Sequence, residues 1–366
     1  MKQQILVLNA GSSSLKFAAF AIDDLDETLR GQVSGIGSKP ELVVGLDRQT
    51  LPSNTGFGES LALTLARLEQ EGLAPRALAG IGHRIVHGGT KNIHPLVIED
   101  RELAELEKLR SLAPLHLPFG LGALRDMRRL RPEVPHVACF DTAFHATQPE
   151  LMTRLPIPRI YFERGYRRYG FHGLNYEHVV ESLRKQTKGK LPRRLLAAHL
   201  GSGASMCAIL DGKSVGTTMG FSTADGLVMG TRTGSIDPGV LVALMRDDNL
   251  TLEQLEDLLY RRSGLLGLSG ISPDMRILLE SNQPEAREAV EYYCYSAARH
   301  AASLVPTLGG LDAIVFTGGV GENASQVRDK ILGHLSWLKV PGDNIHVIAA
   351  NEELTIARHV KSTLQR

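Results

Sequence analysis

Residues 5–20 read ILVLNAGSSSLKFAAF. Four apolar residues rich in β-formers run into Asn9-Ala10-Gly11 and three serines, and a second, alternating apolar run follows from Leu15 to Phe20. Both flanks therefore read as strands, and the link between them is a tight, hydroxyl-rich turn. Glycine lets backbone approach a ligand closely, while backbone N–H groups and serine hydroxyls can donate to an anion. Lys16, in a strand, points to the face opposite Leu15 and Phe17. Taken alone, the stretch reads first as a serine-rich surface hairpin and second as a phosphate turn. A related stretch far along the chain shifts that balance. Residues 194–210 read RLLAAHLGSGASMCAIL, again strand, glycine–serine turn, strand. The pattern thus occurs near the start of each half of the chain. That internal duplication argues for two related α/β domains facing one another.

A chain of 366 residues has room for about two domains, and its hydrophobic share of 43% is that of a soluble globular protein. With a net charge of +1, no bulk field draws it to nucleic acid or to an anionic membrane. Any phosphate must therefore be held by local arrangement. The start, MKQQILVLNA, has too short an apolar run for a signal peptide. No run approaches the ~20 apolar residues that span a bilayer. Cys139, Cys207 and Cys294 are odd in number and widely spaced, which predicts buried free thiols in a reducing cytoplasm.

Along the chain, residues 60–71 have helical spacing closed by Gly72. Residues 78–89 form a buried strand carrying His83, Arg84 and His87. Asp100 caps a helix whose Leu103, Leu106 and Leu109 share a face. Residues 112–118 are a loop broken by proline, before a basic amphipathic helix at 119–131. Residues 137–149 are a strand ending in Asp141 and His145, and a helix covers 176–187. Thr251 and Gln254 form a capping box for a helix closed by Gly264. The stretch SGLLGLSGISPDMR reads as irregular, and a largely buried helix spans 285–304. Residues 311–323 are strand, glycine-rich turn and helix start, and 347–360 are a strand running into an acidic-capped helix. The expected domains are 1–148, with helix 353–366 packing back on it, and 149–352.

No Walker A pattern is present, because GGVGEN (318–323) lacks the Lys-Ser/Thr ending. The dinucleotide fingerprint and the Gly-x-Ser-x-Gly elbow are missing too. What remains is three glycine-rich turns after strands, at 11–14, 201–205 and 318–323, which could together cradle a polyphosphate and a nucleoside. Beside them, single charged residues end apolar strands or sit among glycines: Arg84, Asp141, His172 and Arg232. A charge in such a place is costly unless paired or functional. Each has an ordinary reading: either arginine as half of an ion pair, His172 as a satisfied loop histidine, Asp141 as a helix cap. As a set they suit phosphoryl transfer, which needs cationic groups around the equatorial oxygens and aligned attacking and leaving oxygens. Two guanidinium forks also suit a carboxylate acceptor.

The motifs NAGSSSLKF, HRIVHGG, LAPLH, FDTAFH, YGFHG, HLGSGAS, MGTRTGSIDP, SGLLGLSG, FTGGVGEN and NEELTIA occur in that order. Together they resemble the acetate kinase family, from residue 9 to residue 357. The resemblance implies the actin/hexokinase/Hsp70-type (ASKHA) fold: two RNase H-like domains with an interdomain cleft for nucleotide, and a homodimer built on the second domain. It implies reversible transfer of the ATP γ-phosphoryl group to acetate, giving acetyl phosphate and ADP, with Mg2+ or Mn2+ in its place. By matching motif, Asn9 and Glu352 would hold the metal, and Lys16 would lie near the nucleotide phosphates. Arg84 would bind the acyl carboxylate and Arg232 the transferring group. His172 would stabilise its charge, and Asp141 would be the acid/base or an orienting carboxylate. The nucleotide would touch His199, Leu200, Gly201, Ser202 and Gly203; Asp274, Met275 and Arg276; and Gly319, Val320, Gly321, Glu322 and Asn323. Val86, Leu115, Phe171 and Thr223 would match the pocket around the acyl methyl.

The chain departs from the family's usual pattern at Leu117 and Ser202, both normally Asn, and at Ser235, normally Asp. Residues 222–225, STAD, stand for the usual Thr-Pro-Leu-Glu, so Thr223 replaces a pocket proline and opens the acyl preference to propionate. The segment between Asn323 and Asn351 is shorter than usual. Competing readings are a propionate or butyrate kinase and, in a different class, a non-catalytic nucleotide-binding switch on the same fold.

Overall fold

The computed structural model describes residues 3–365. Met1, Lys2 and Arg366, which fall within the expected bounds 1–148 and 353–366, lie outside the described residues. The chain divides into two units. One takes the described residues up to Ala143 together with those from Asn351 on, and the other is Phe144–Ala350.

The first unit contains β1 (Gln4–Ala10), β2 (Ser14–Ala21), β3 (Glu27–Ser34), β4 (Glu41–Val44), β5 (Asp47–Thr50), β6 (Leu78–Ile85), β7 (Leu96–Val97) and β8 (His136–Phe140). They form one sheet in the order β5-β4-β3-β2-β1-β6-β8-β7. The opening stretch is the antiparallel β1–β2 hairpin, closed by Gly11 N–H donating to the Ser14 carbonyl at 2.8 Å. β1, β6 and β8 run parallel. Every residue of β8 is buried, as befits a parallel strand covered on both faces. Leu61, Leu65 and Leu68 of helix Phe57–Gln70 pack with Leu6, Leu8, Leu15 and Phe17. Leu117, Leu121 and Leu124 of helix Leu117–Leu130 pack with Ile85 and Phe140. Burying each such leucine is worth about 1.5–3 kcal/mol. Helix Glu352–Leu364 covers the opposite face of β6. A side chain at Gly82 would stand 2.4 Å from Ile356 Cγ2, so glycine there lets the helix lie directly on the strand.

The second unit holds β9 (Arg194–Leu200), β10 (Ala204–Leu210), β11 (Lys213–Thr217), β12 (Ala313–Thr317) and β13 (Ile345–Val347), in the order β11-β10-β9-β12-β13. β9, β10 and β11 are antiparallel neighbours, while β9, β12 and β13 are parallel. The run β3-β2-β1-β6-β8 of the first unit has the same order and directions. The duplication read from two turns therefore extends over five strands in each unit, as the RNase H-like fold requires. Tyr176, Val179, Val180 and Leu183 of helix Gly173–Gln186 pack on Leu195, Ala197, Cys207 and Ile209.

Local details differ from expectation in five places. Asp100 does not cap its helix but is its first residue, and its carboxylate meets Arg128 at 2.9 Å. The helix expected at 119–131 starts at Leu117, because Pro118 sits in the first turn, where its missing N–H costs nothing. The Thr251–Gln254 capping box forms as expected, but its helix ends at Arg261 and Gly264 opens the next one. The stretch read as irregular holds two short helices, Gly264–Ser269 and Met275–Glu280, anchored by buried Leu265, Met275 and Leu278. Helix Pro284–Leu308 is only half covered: Ala286, Val290, Tyr293, Ala297 and Ala301 are buried, whereas Tyr292 and Tyr295 are exposed. Among the described residues no helix is long and apolar enough to cross a membrane. The three cysteines are free and buried.

Candidate active site

In the first unit, parallel strands end at one edge and deliver their charged residues together. Arg84, near the end of β6, meets Asp141, just past β8, through two bonds: Nε to Oδ1 at 2.9 Å and Nη2 to Oδ2 at 2.5 Å. Arg84 Nη1 donates to Asn9 Oδ1 at 3.1 Å, and Nε lies 3.3 Å from Glu352 Oε2. Asn9 Nδ2 donates to the same Glu352 oxygen at 3.3 Å and to Glu353 Oε1 at 3.5 Å. The Asn351 side chain caps the helix by accepting from Leu354 N–H at 3.0 Å, which fixes both glutamates in the first turn. Glu353 is itself buried and pairs with Arg30 at 3.4 Å. Burial works against the Arg84 charge, but Asp141, Glu352 and Glu353 outweigh it and hold its pKa above the ordinary guanidinium value. Lys16 lies directly opposite Asn9 in the β1–β2 register, so the two side chains share a sheet face, and Lys16 is exposed.

In the second unit, the turn 201–203 between β9 and β10 is flanked by two histidines and an arginine. A side chain added at Gly203 would stand 3.5 Å from His172 Nε2 and 3.6 Å from Arg232 Nη1. One added at Gly201 would stand 3.6 Å from His199 Nε2 and 4.0 Å from the Gly319 nitrogen. The glycines thus keep open a cradle into which three cationic or donor groups project. The His172 and His199 rings stack at 4.1 Å between centroids, 18° from parallel. His172 precedes helix Gly173–Gln186 in the left-handed region, at φ 58°, a conformation uncommon outside glycine and held at some cost. Its Nδ1 lies 2.9 Å from Ser205 Oγ, which in turn lies 2.6 Å from the Tyr176 hydroxyl. Asn175 Nδ2 contacts His199 Nδ1 at 2.8 Å and Thr317 Oγ1 at 3.2 Å. Arg232 Nη1 donates to the Thr223 carbonyl at 3.0 Å.

The acetokinase family model matches residues 4–364. A curated acetate kinase of Rhodopseudomonas palustris is 42% identical over 98% of each chain. Among solved structures, a propionate kinase of Francisella tularensis superposes with a TM-score of 0.92 at 33% identity, covering 98% of each chain. The acetate kinase of Porphyromonas gingivalis superposes at 0.89 and 30% identity, over the whole of both chains. The chain belongs to the acetokinase family. Its fold is that of the family's structures, two α/β units of RNase H-like topology.

The other residues matched to acetokinase motifs are placed as follows. Val86 and Leu115 are half-buried in the first unit. In the second, Phe171 is buried with its carbonyl 2.9 Å from His145 Nε2, and Thr223 is buried beside Arg232. Leu200 and Met275 are buried, so only their backbone is on offer, and Ser202 is exposed. Asp274 caps helix Met275–Glu280 and pairs with exposed Arg276 at 2.6 Å. Helix Gly318–Asn323 carries Gly319, Val320, Gly321, Glu322 and Asn323, with Asn323 Nδ2 donating to the Gly319 carbonyl at 2.8 Å. Gly318 sits at φ +80°, where an added side chain would stand 2.7 Å from the Leu200 carbonyl. Only glycine lets this turn close on β9. Of the departures, Leu117 is a fully buried core residue and Ser235 donates to Asp225 Oδ1 at 2.9 Å. The motifs alone did not single out Glu353, Asn175, Tyr176 or Ser205. Glu353 was visible only as the second acid of NEELTIA, and Ser205 only as part of HLGSGAS.

Among the described residues no cluster of three or more His, Cys, Asp or Glu side chains has metal-site geometry. Glu352 nevertheless offers a carboxylate next to the Asn9 amide, whose Nδ2 faces it and whose Oδ1 faces Arg84, with Lys16 opposite Asn9 in the strand register. That donor set fits Mg2+, which prefers one or two protein carboxylates plus substrate phosphates to an all-protein cage.

Proposed function

We propose that this chain transfers the γ-phosphoryl group of ATP reversibly to acetate, giving acetyl phosphate and ADP by direct in-line displacement. The observation that carries the reading is the convergence of His172 Nε2 and Arg232 Nη1 over Gly203, in a chain whose curated relatives are acetate kinases. A transferring phosphoryl group spreads charge over its equatorial oxygens, and donors already aimed at that position cost no reorganisation.

The acceptor, as a carboxylate, is already the anionic nucleophile and needs no base. One acetate oxygen forms the new P–O bond while the bond to the ADP oxygen breaks, and no proton moves. Asp141 therefore acts as an orienting carboxylate, both of its oxygens being engaged by Arg84. Of the five guanidinium N–H groups, Asp141 takes two and Asn9 one. One N–H remains on each Nη, a two-pronged edge suited to the acetate carboxylate. Val86 and Leu115 supply apolar contacts to the acyl methyl, with Phe171 and Thr223 in the same role. Asn9 and Glu352 would hold Mg2+, which supplies charge neutralisation across the nucleotide phosphates. Lys16 adds a cation there, and the glycine turns at 201–203 and 318–323 hold nucleotide, with Asp274 to Arg276 beside it.

Propionate is the second reading, favoured by Thr223 standing where the family has proline. A hydroxamate assay of acyl phosphate with acetate, propionate and butyrate separates the readings. Product with none of the three, given ATP and Mg2+, would leave the nucleotide-binding switch. We also propose a homodimer. Helix Pro238–Asp247, PGVLVALMRD, buries none of its residues, and Val240, Val242, Met245 and nearby Leu252 are exposed. Such an apolar face calls for a partner, and a monomer in sedimentation would exclude one. The buried free thiols suit a reducing cytoplasm.

A further inference from the structure

We propose that the first turn of helix Gly173–Gln186 sets the proton positions of the two stacked histidines, with Asn175 and Tyr176 as positioning residues. Both rings are thereby held neutral, each presenting an Nε2–H toward the turn 201–203. The inference rests on the phosphoryl-transfer reading for its consequence, not for its structural content.

The His199 tautomer follows from the hydrogens buried around Asn175. Asn175 is fully buried, and its Nδ2 faces two groups, His199 Nδ1 at 2.8 Å and Thr317 Oγ1 at 3.2 Å. Its Oδ1 has no partner among the described residues. Turning the amide over would strand two buried N–H donors in place of one acceptor. Orphaned buried N–H groups are the rarer and costlier defect. The amide therefore donates to His199 Nδ1, which must carry a lone pair, so the ring proton sits on Nε2. A second proton on Nδ1 would point at an N–H donor. Nε2 is the ring nitrogen that lies near the Gly201 position.

For His172 the proton is set through a relay. The Tyr176 hydroxyl and Ser205 are both fully buried, 2.6 Å apart, and Ser205 Oγ lies 2.9 Å from His172 Nδ1. Of the two hydroxyls the phenol is the stronger acid, so its proton goes to Ser205 Oγ. Ser205 then spends its proton on His172 Nδ1, and the ring proton again lies on Nε2. That nitrogen faces the Gly203 position beside Arg232. Charging both rings would place two cations in rings stacked at 4.1 Å, a costly repulsion. One helical turn thus orients two neutral donors at adjacent points of the same anion cradle, beside the positive charge of Arg232. The device would discriminate by geometry: donors at alternate glycines suit oxygens of neighbouring phosphoryl groups.

The test is nitrogen-15 NMR of the full chain labelled at histidine, with His172 and His199 assigned from His172→Gln and His199→Gln. In the wild type, both rings should show a protonated Nε2 and an unprotonated Nδ1. A protonated Nδ1 on either ring overturns the proposal, with no variant required. Asn175→Asp offers His199 only an acceptor, so the His199 proton should move to Nδ1 while the His172 signals stay put. Its kcat/KM for nucleotide should fall about 10- to 100-fold, the cost of one donor to a charged oxygen. Ser205→Ala should free the His172 tautomer, and Ser205→Thr should restore it. An unchanged His199 tautomer in Asn175→Asp sinks the proposal, and so does an unaltered nucleotide kcat/KM. Because the wild-type tautomers are read without turnover, their failure is distinct from absence of acyl phosphate, which would sink the reaction assignment instead.

Discussion

Gly203→Ala should abolish most activity while leaving the protein as stable as before, or more so. The backbone at Gly203 is not left-handed, so an L-residue fits it without strain. The added methyl meets its nearest neighbours, His172 Nε2 and Arg232 Nη1, at 3.5 and 3.6 Å, which is ordinary van der Waals contact. The folded state therefore loses nothing, while the unfolded chain loses freedom. Stability should rise by about 0.4–1 kcal/mol, or roughly 1–4 °C in Tm for a unit of this size. Function has a different ledger. An oxygen bonded to both donors must lie about 2.7–3.2 Å from each, and the methyl competes for that space. A shift of about 1 Å in the transferring group costs on the order of 10²-fold in rate. The assay is acyl-phosphate formation, trapped as hydroxamate, alongside a thermal melt of the same sample. Turnover within threefold of wild type would refute the claim that the transferring group sits over this glycine. A drop of several degrees in Tm would show instead that the glycine serves the fold.

Two arginine substitutions should lower turnover by orders of magnitude yet differ in stability. Arg84→Ala takes the two-bonded guanidinium away from buried Asp141 (1% exposed) and should cost about 3–5 kcal/mol in a urea melt. Arg232→Ala loses a partly exposed side chain that donates to the Thr223 carbonyl and should cost less in the same melt. Equal losses in the two melts would contradict the buried pairing. Acid should destabilise the chain through His145, which burial pushes down to about 4 despite its bond to the Phe171 carbonyl. The unfolded ring takes a proton near 6.5, so in the window between the unfolded state binds more protons. Stability is full above about 6.5 and falls as pH drops toward 4, by about 3 kcal/mol for this group. His145→Gln should flatten that limb in melts run across the window; an unchanged slope would discount the ring.

The parts legible in the sequence were those whose chemistry is local. The period-two runs around Asn9–Ser13 and Gly201–Ser205 declared their hairpins, and Thr251 with Gln254 declared a helix start. The two helices within residues 264–280 stayed hidden because Gly264, Gly270 and Pro273 punctuate them. They persist through tertiary burial of Leu265, Met275 and Leu278, which no local propensity records. Pro118 is ambiguous for a related reason: a proline ends a helix or begins one, and spacing alone does not say which. At the site, motifs supplied Arg84, Asp141 and Glu352 but not their bonding, since their pairing joins residues far apart in the chain. Asn175 and Tyr176 were invisible, because a helix's first turn carries no mark of which side chain beneath it needs orienting.

The first unit is built from two separated pieces of chain, and this has a consequence for its birth. On the ribosome, β1 to β8 emerge first, and Arg84 and Asp141 can find one another early. The helix that covers Gly80 and Gly82, and that brings Glu352 and Glu353 to Asn9, is translated only after all of Phe144–Ala350. Until then the face of β6 carrying those glycines lies bare, with no local segment to cover it. A nascent chain stalled in the second unit would therefore expose that seam to chaperones and proteases, and Asn9 would still lack its glutamate partners.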